Sequence, residues 1–363
     1  MKKRINILYL SNSLDTRGPT NQLYNIIFHL GKDRYNVHLV ILTNKINKRE
    51  ILRFKRLGVN VSQAGKSIKW YNFFIAFNYL NKIFKKIDPQ IIHSHGLMPD
   101  LICFIFRKKY RCIITSRNIP NEDYPGKYGY LLGSIMGYIH LFILKKSPRV
   151  VSCSKSMQRQ LTKKNINSLI IKNGVKTSHK KKYIQQPIKY QKPIFIFVGS
   201  IIKRKNIGTL VQTMEKYISR YNGSLLIIGG GPLFNDYLLN NRNKNIYFLG
   251  HKTNVENYFL ISDYYISLSL SEGLPNSVLE SLSFCKPAIL SSIESHREIK
   301  SDFSKMVTVV KNKNADKIIK EIVSATKKKY PKKLDKKYLE RVSSYRMSSE
   351  YQKLYTVLAS KEK

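Results

Sequence analysis

One pattern, run through twice, constrains the fold of this chain more than any other: short continuous apolar runs separated by longer segments of helical period. In the first half, residues 5–10, 37–42, 90–93, 112–115 and 149–152 read as strands. Residues 21–30, 69–86 and 127–145 read as helices between them. Strands that are apolar on both faces are buried on both faces, the condition of a parallel sheet covered by crossover helices. Residues 179–192 interrupt the pattern with a polar stretch rich in Lys and Gln that carries Pro187, and Pro193 follows. The alternation then restarts, with strands expected over 194–198, 224–228, 246–249, 264–268 and 287–291. The expected organisation is α/β: one doubly wound domain over 1–178, a linker over 179–192, a second domain over 193–342, and a terminal segment over 343–363 that is helical from 343 to 358.

At 363 residues the chain suits two domains, each large enough to bury its own core. No run reaches the roughly 18 apolar residues that would cross a bilayer. The nearest approach, residues 131–144, is interrupted by Gly133, Gly137 and His140 and is read as a buried helix. Met1 to Arg4 lead into a six-residue apolar stretch that reads as a strand, not as a secretory signal. Cys103, Cys112, Cys153 and Cys285 form no C-x-x-C pair and no metal-like spacing, so reduced thiols in a cytoplasmic protein are expected, and no metal.

Charge is less ordinary. Lys and Arg number 65 against 22 acids, a net charge of +43. Residues 1–180 hold 33 basic and 7 acidic residues, so the excess is greatest in the first half. Such a surface suits nucleic acid, anionic lipid headgroups or diphosphate-linked lipids, or is simply a solvated basic face. No nucleic-acid recognition motif accompanies it, and a nucleic-acid partner is not expected. The aromatic segment 70–74 opens a helix that ends in Lys82, Lys85 and Lys86; core packing is expected of it, with its lysine end near headgroups as the alternative.

Residues 271–282, Ser-Glu-Gly-Leu-Pro-Asn-Ser-Val-Leu-Glu-Ser-Leu, carry two glutamates eight positions apart, one on a Gly-Pro turn and one in a helical pattern. Such a segment can aim one carboxylate at the hydroxyls of a bound sugar and the other at a ribose. It also contains Ser277-x-x-Glu280, a capping box. Other fragments occur in order: Ile92-His93-Ser94-His95-Gly96, Val151-Ser152-Cys153-Ser154, Asn173-Gly174-Val175, Val198-Gly199-Ser200 through Arg204-Lys205-Asn206, Gly229-Gly230-Gly231-Pro232 and Leu249-Gly250-His251. Together these resemble the retaining glycosyltransferases of family 4, whose GT-B fold sets two Rossmann-like domains facing each other across a cleft, over residues 5–300. The opening 17–23, with Ser116-Arg117-Asn118 and Glu122-Asp123-Tyr124-Pro125, is similar to branches that build bacterial surface polysaccharides.

The resemblance implies a nucleotide sugar as donor substrate, a uridine diphosphate sugar by family prior, with no cofactor. On the donor it implies Lys205 and Arg204 at the diphosphate, Glu280 at the ribose and Glu272 at the sugar, with Gly18, Ser200, Gly230, Gly273 and Leu274 alongside. His95 would approach the reacting carbon, and Arg117 and Asn118 would meet a lipid-linked or outer-core saccharide acceptor. A basic first domain would rest on the cytoplasmic face of an anionic membrane. Gly18 and the triple glycine at 229–231 are equally readable as plain turns, and His93 as a core residue. Two positions depart from the family pattern: Ser200 stands where arginine is frequent, and Cys285 where glycine is frequent, at a helix end whose left-handed cap glycine adopts at little cost. A sugar-nucleotide epimerase of related architecture, a catalytically silent relative and a polyanion binder are the competing readings.

Overall fold

The computed structural model describes residues 4–15, 18–64, 73–177, 189–311 and 314–360, the side chains of 73–77 aside. The aromatic segment 70–74, Arg17 and most of the 179–192 stretch therefore fall outside the described residues or their side chains. The chain forms two compact units, Met1–Gly174 with Ser344–Lys363, and Val175–Ser343.

The first unit holds a seven-stranded sheet of β1 (Ile5–Ser11), β2 (Tyr35–Ile41), β3 (Asn60–Gln63), β4 (Ile91–His95), β5 (Arg111–Ser116), β6 (Val150–Ser152) and β7 (Leu169–Ile170). Their order is β3-β2-β1-β4-β5-β6-β7, and every pair is parallel. In the second unit, β8 (Ile194–Val198), β9 (Ser224–Ile228), β10 (Ile246–Gly250), β11 (Tyr264–Ser267), β12 (Ala288–Ser291) and β13 (Val307–Val310) form a six-stranded sheet. It runs β10-β9-β8-β11-β12-β13, again wholly parallel. Both sheets reverse their winding once, between β1 and β4 and between β8 and β11. In doubly wound sheets the crevice beyond the carboxyl ends of such a strand pair is where ligands sit.

The apolar runs behave as their composition requires: Ile7, Leu8, Tyr9 and Leu10 of β1 are all fully buried, as are Leu225, Leu226 and Ile227 of β9. The C-terminal helix Ser344–Ser360 packs within the first unit, where Met347, Tyr351, Tyr355 and Leu358 join the core cluster beneath β1 and β2. It is fixed by a buried polar chain. The Tyr355 hydroxyl lies 2.8 Å from that of Tyr9 and 2.7 Å from His93 Nδ1. His93 Nε2 lies 2.8 Å from Thr115 Oγ1, which lies 2.9 Å from the Tyr351 hydroxyl. With its ring so enclosed, His93 is held neutral, its pKa pushed down to about 3 by burial and then by the nearby Arg117 charge.

Two local readings are corrected. The helix expected over 127–145 breaks at Gly129, whose φ of +86° separates a short turn, Pro125–Tyr128, from the helix Tyr130–Lys146. That helix is buried on one face only: Tyr130, Leu131 and Tyr138 are 84%, 75% and 68% exposed.

Candidate active site

In the second unit the chain leaves β8 through Gly199 and Ser200 and forms a single 3-10 turn, Lys203–Lys205, before the helix Ile207–Tyr221. The neighbouring strand β11 leads through residues 268–275 into the helix Asn276–Ser283. The switch point therefore brings Arg204 and Lys205 to Glu272, 68 and 67 residues away in sequence. Arg204 Nη1 donates to Glu272 Oε2 at 2.8 Å and to the Ser271 carbonyl, and Lys205 Nζ donates to Glu272 Oε1. Burial pushes the Glu272 carboxyl up, but Lys205 and then Arg204 outweigh it and hold it at about 2. Two cations share one carboxylate, so the cluster keeps one net positive charge in a largely desolvated setting.

Glu280, on the helix that follows, is different. Its carboxyl makes no hydrogen bond with the described residues and keeps part of its surface in solvent. Burial, and then the charge of Glu256, push it up to about 7. Gly273 and Leu274, between the glutamates, are buried, and Ser200 is exposed at the end of β8.

The capping-box reading of Ser277 and Glu280 does not hold. Pro275 is the N-cap, and Ser277 lies inside the helix with its hydroxyl 2.8 Å from that of Tyr265. At the other end Cys285 has φ +57°. Its N–H bonds to the Leu282 carbonyl at 2.9 Å and that of Lys286 to the Ser281 carbonyl at 3.0 Å, a Schellman closure with cysteine in the glycine position.

The triple glycine has a packing cause. A Cβ on Gly229 would stand 1.9 Å from the Gly199 carbonyl oxygen, and one on Gly231 would stand 2.4 Å from that of Ile201. The loop after β9 lies directly on the loop after β8, stitched by Gly199 N–H to the Ile228 carbonyl and Ile201 N–H to the Gly230 carbonyl, both 2.9 Å. Gly230 faces the His251 ring instead: its Cβ would meet Nε2 at 2.6 Å.

His296, which sequence reasoning passed over, is fully buried after β12, its Nδ1 3.0 Å from the Ser291 carbonyl oxygen and its Nε2 without a hydrogen-bond partner among the described residues. Burial holds its pKa down at about 4, against the pull of Glu272. A histidine just beyond a buried strand was the available signal.

In the first unit, three polar groups gather at the carboxyl ends of β1, β4 and β5. His95 ends β4, opposite Ser11 of β1, and both its ring nitrogens are buried without a hydrogen-bond partner among the described residues. Burial, then His93 and Arg117, push its pKa well below the usual histidine range. Arg117 donates from Nη1 to Asn173 Oδ1 at 2.9 Å, while its Nε and Nη2 are buried and find no hydrogen-bond partner among the described residues. Asn12, not singled out from sequence, is a third residue of this kind, its Oδ1 unpartnered among the described residues. Beside it Gly96 turns at φ +96° into the helix Leu97–Ile105. Buried polar atoms left unpaired cost roughly 1–3 kcal/mol each, so a cluster of them marks where a polar ligand is accommodated. Asn118 follows in the loop, its carbonyl accepting from Ser116 Oγ at 3.1 Å, and Gly18 opens the helix Gly18–Phe28 after β1.

Comparison with known proteins follows the same division. Residues 16–179 match the family model described as Glycosyltransferase Family 4, and residues 179–342 match that of Glycosyl transferases group 1. The chain is 25% identical to the O-antigen biosynthesis glycosyltransferase WclY of Escherichia coli, over 97% of this chain and 98% of that protein. It is 25% identical to the capsular polysaccharide biosynthesis glycosyltransferase CapM of Staphylococcus aureus, over 72% and 80% respectively. The glycosyltransferase MJ1059 of Methanocaldococcus jannaschii is 24% identical, and 65% of its length is spanned. Among solved structures, a glycosyltransferase from Rickettsia africae superposes with a TM-score of 0.74 at 16% identity, covering 99% of this chain and 100% of that one. Anabaena HepE, solved with UDP and glucose, gives 0.73 at 11% identity with the same coverage.

Proposed function

We propose, for a chain that belongs to the family 4 glycosyltransferases and has their GT-B fold and class of activity, a retaining transfer of a hexose-type sugar in bacterial surface glycan synthesis. The donor is a nucleoside diphosphate sugar, a UDP-sugar by preference, and the acceptor a lipid-linked or polysaccharide saccharide. Relatives named for O-antigen and capsular polysaccharide synthesis support the setting.

The observation that carries the reading is the convergence of Arg204 and Lys205 on Glu272 at the switch point of the second sheet, with the Glu280 carboxyl, eight residues on, unbonded among the described residues. A diphosphate gains negative charge as the glycosidic bond breaks, and fixed cations in a dry site stabilise that change most. Glu272 holds both cations in place before the donor arrives, so little reorganisation accompanies bond breaking. Arg204 and Lys205 thereby take the role a metal ion plays elsewhere. Glu280 accepts from ribose hydroxyls, and Glu272 from the sugar as the diphosphate takes over its cations. In the first unit, taken by itself, His95, Arg117 and Asn12 offer hydrogen-bonding atoms to a saccharide. The acceptor hydroxyl attacks on the face the diphosphate leaves, which takes up the proton, so no protein nucleophile is required. The basic first half would keep the enzyme at an anionic membrane where a lipid-linked acceptor resides; no described helix is long and apolar enough to cross one.

Calorimetric titration with UDP, GDP and a small panel of their sugars tests the donor site, beside Glu280→Ala. Micromolar binding of one nucleotide, weakened by the substitution, is the expected result. A folded protein that binds none of them overturns the reading.

A further inference from the structure

The helix Tyr130–Lys146 is turned inside out. Its buried face is Gly133, Gly137, His140, Ile143 and Leu144. On the opposite side Tyr130, Leu131, Leu132, Ile135, Tyr138 and Phe142 are between 49% and 84% exposed. The rotation is locked. A Cβ on Gly133 would stand 2.4 Å from the Tyr124 carbonyl oxygen, and one on Gly137 2.8 Å from Asn121 Cα, so the helix lies on the backbone of the preceding turn and only glycine permits it. His140 adds two buried contacts, Nε2 to Asp100 Oδ2 at 2.8 Å and Nδ1 to the Tyr124 hydroxyl at 2.7 Å. Asp100 in turn accepts from Ser94 Oγ at 2.7 Å, tying the helix to β4. Turning the large side chains inward would break this buried chain and open the glycine contacts. A contiguous apolar band held outward in this way marks an interaction surface.

Charge selects the occupant. Lys127 precedes the helix and Lys145 and Lys146 end it, all three exposed. Glu122 and Asp123 lie on the turn before it, but from there no acid occurs until Glu215. With a net charge of +43, a second copy of the chain would be repelled, whereas an anionic lipid surface would be attracted. Seventeen residues give about 26 Å of helix, short of the roughly 30 Å hydrocarbon core, and the glycine face is already covered by protein. The helix therefore suits the plane of the interface, with tyrosines and lysines at headgroup level.

We propose that Tyr130–Lys146 is a monotopic docking surface that seats its outer face in an anionic bilayer. The assignment rests on the membrane-facing reading above and names the surface that makes the contact. The test is co-sedimentation of the full chain with vesicles of about one-third phosphatidylglycerol in phosphatidylcholine, and with phosphatidylcholine alone. The wild type is compared with a Leu131→Ser, Leu132→Ser, Phe142→Ser variant, whose fold is checked by circular dichroism and by nucleotide binding. Strong partitioning of the wild type to anionic vesicles, reduced about tenfold or more in the variant, is expected from removing three inserted side chains. Equal partitioning of the two proteins overturns the assignment while leaving membrane association intact. No partitioning of the wild type overturns both. A wild-type dimer that dissociates in the variant, with no vesicle binding, identifies a second copy as the occupant and likewise overturns it. Nucleotide binding lost from both proteins would instead strike the donor-site reading.

Discussion

Replacing Glu280 with glutamine should make the second unit more stable and the nucleotide site worse, and both effects should depend on pH. The Glu280 carboxyl is pushed from 4.5 up to about 7, first by burial and then by Glu256. The folded state therefore holds a proton that the unfolded chain gives up at about 4.5, and wild-type stability falls as pH rises from 4.5 through 7. At about 1.4 kcal/mol per unit, a shift of this size amounts to roughly 3 kcal/mol. Partial exposure of the side chain reduces this, and about 1–2 kcal/mol is the working figure. Glutamine is uncharged throughout, so Glu280→Gln should match wild type near pH 4.5 and exceed it by about 1–2 kcal/mol at pH 8. Urea unfolding of both proteins at the two pH values, followed by circular dichroism, measures this directly. Binding should move the opposite way: two ribose hydroxyls donating to a carboxylate form charge-assisted bonds, and their weakening costs about tenfold to a hundredfold in affinity. Wild-type affinity for a UDP-sugar should improve from pH 6 to 8 as Glu280 ionises, whereas the variant should be flat. A stability difference that is the same at both pH values would refute the argument, because it would mean that Glu280 titrates normally.

The Glu272 cluster predicts the reverse pattern. Lys205 and Arg204 hold Glu272 at about 2 against its burial, so its ionisation contributes stability above pH 4.5 that is lost as pH falls toward 2. Glu272→Gln leaves two largely buried cations without their counter-ion and should cost about 3 kcal/mol at pH 7, read by urea unfolding, with the gap narrowing below pH 4.5. Cys285→Gly should stabilise the protein, since a left-handed residue costs about 1–2 kcal/mol and glycine returns about 0.5–1 of this through unfolded-state entropy. A rise of about 1–3 °C in the melting temperature is expected by calorimetry, and no rise would show that the Schellman closure already absorbs the strain.

Much of the architecture is legible in residue order because parallel strands buried on both faces have to be apolar throughout. Residues 5–10 and 224–228 could hardly be anything else. The strands that escape notice, β3, β7 and β13, all stand at the rims of their sheets; β3 is polar and exposed and β7 is only two residues long, so burial does not dictate the composition of those two. The site is legible in part. The positions of Gly199, Arg204, Lys205, Glu272 and Glu280 follow from strand-to-loop punctuation, but not the sharing of one carboxylate by two cations. That depends on β8 and β11 being neighbours, a property of winding order that no local pattern encodes. Ser277 misleads for a related reason: its hydroxyl is taken by Tyr265, twelve residues back on β11, so a tertiary contact displaces the local cap.

The outward-facing helix is the most instructive case. Residues 130–146 are apolar on nearly every face, so periodicity carries no information about which side meets the core, and size alone suggests burial. What does carry information is the placement of the small and polar residues. Gly133 and Gly137 lie one turn apart, with His140 three residues further along the same face. On a helix that is merely buried, such a stripe would be a poor use of the core, since it leaves volume unfilled beside bulky neighbours. On a helix pressed against its own preceding turn it is the condition for contact, because a single Cβ would stand within 2.4 Å of a carbonyl oxygen. The glycine stripe therefore identifies the protein-facing side, and by subtraction the tyrosines, leucines and Phe142 belong to something else. The same inference applies to any apolar helix whose smallest residues line one face: the large ones point to the partner.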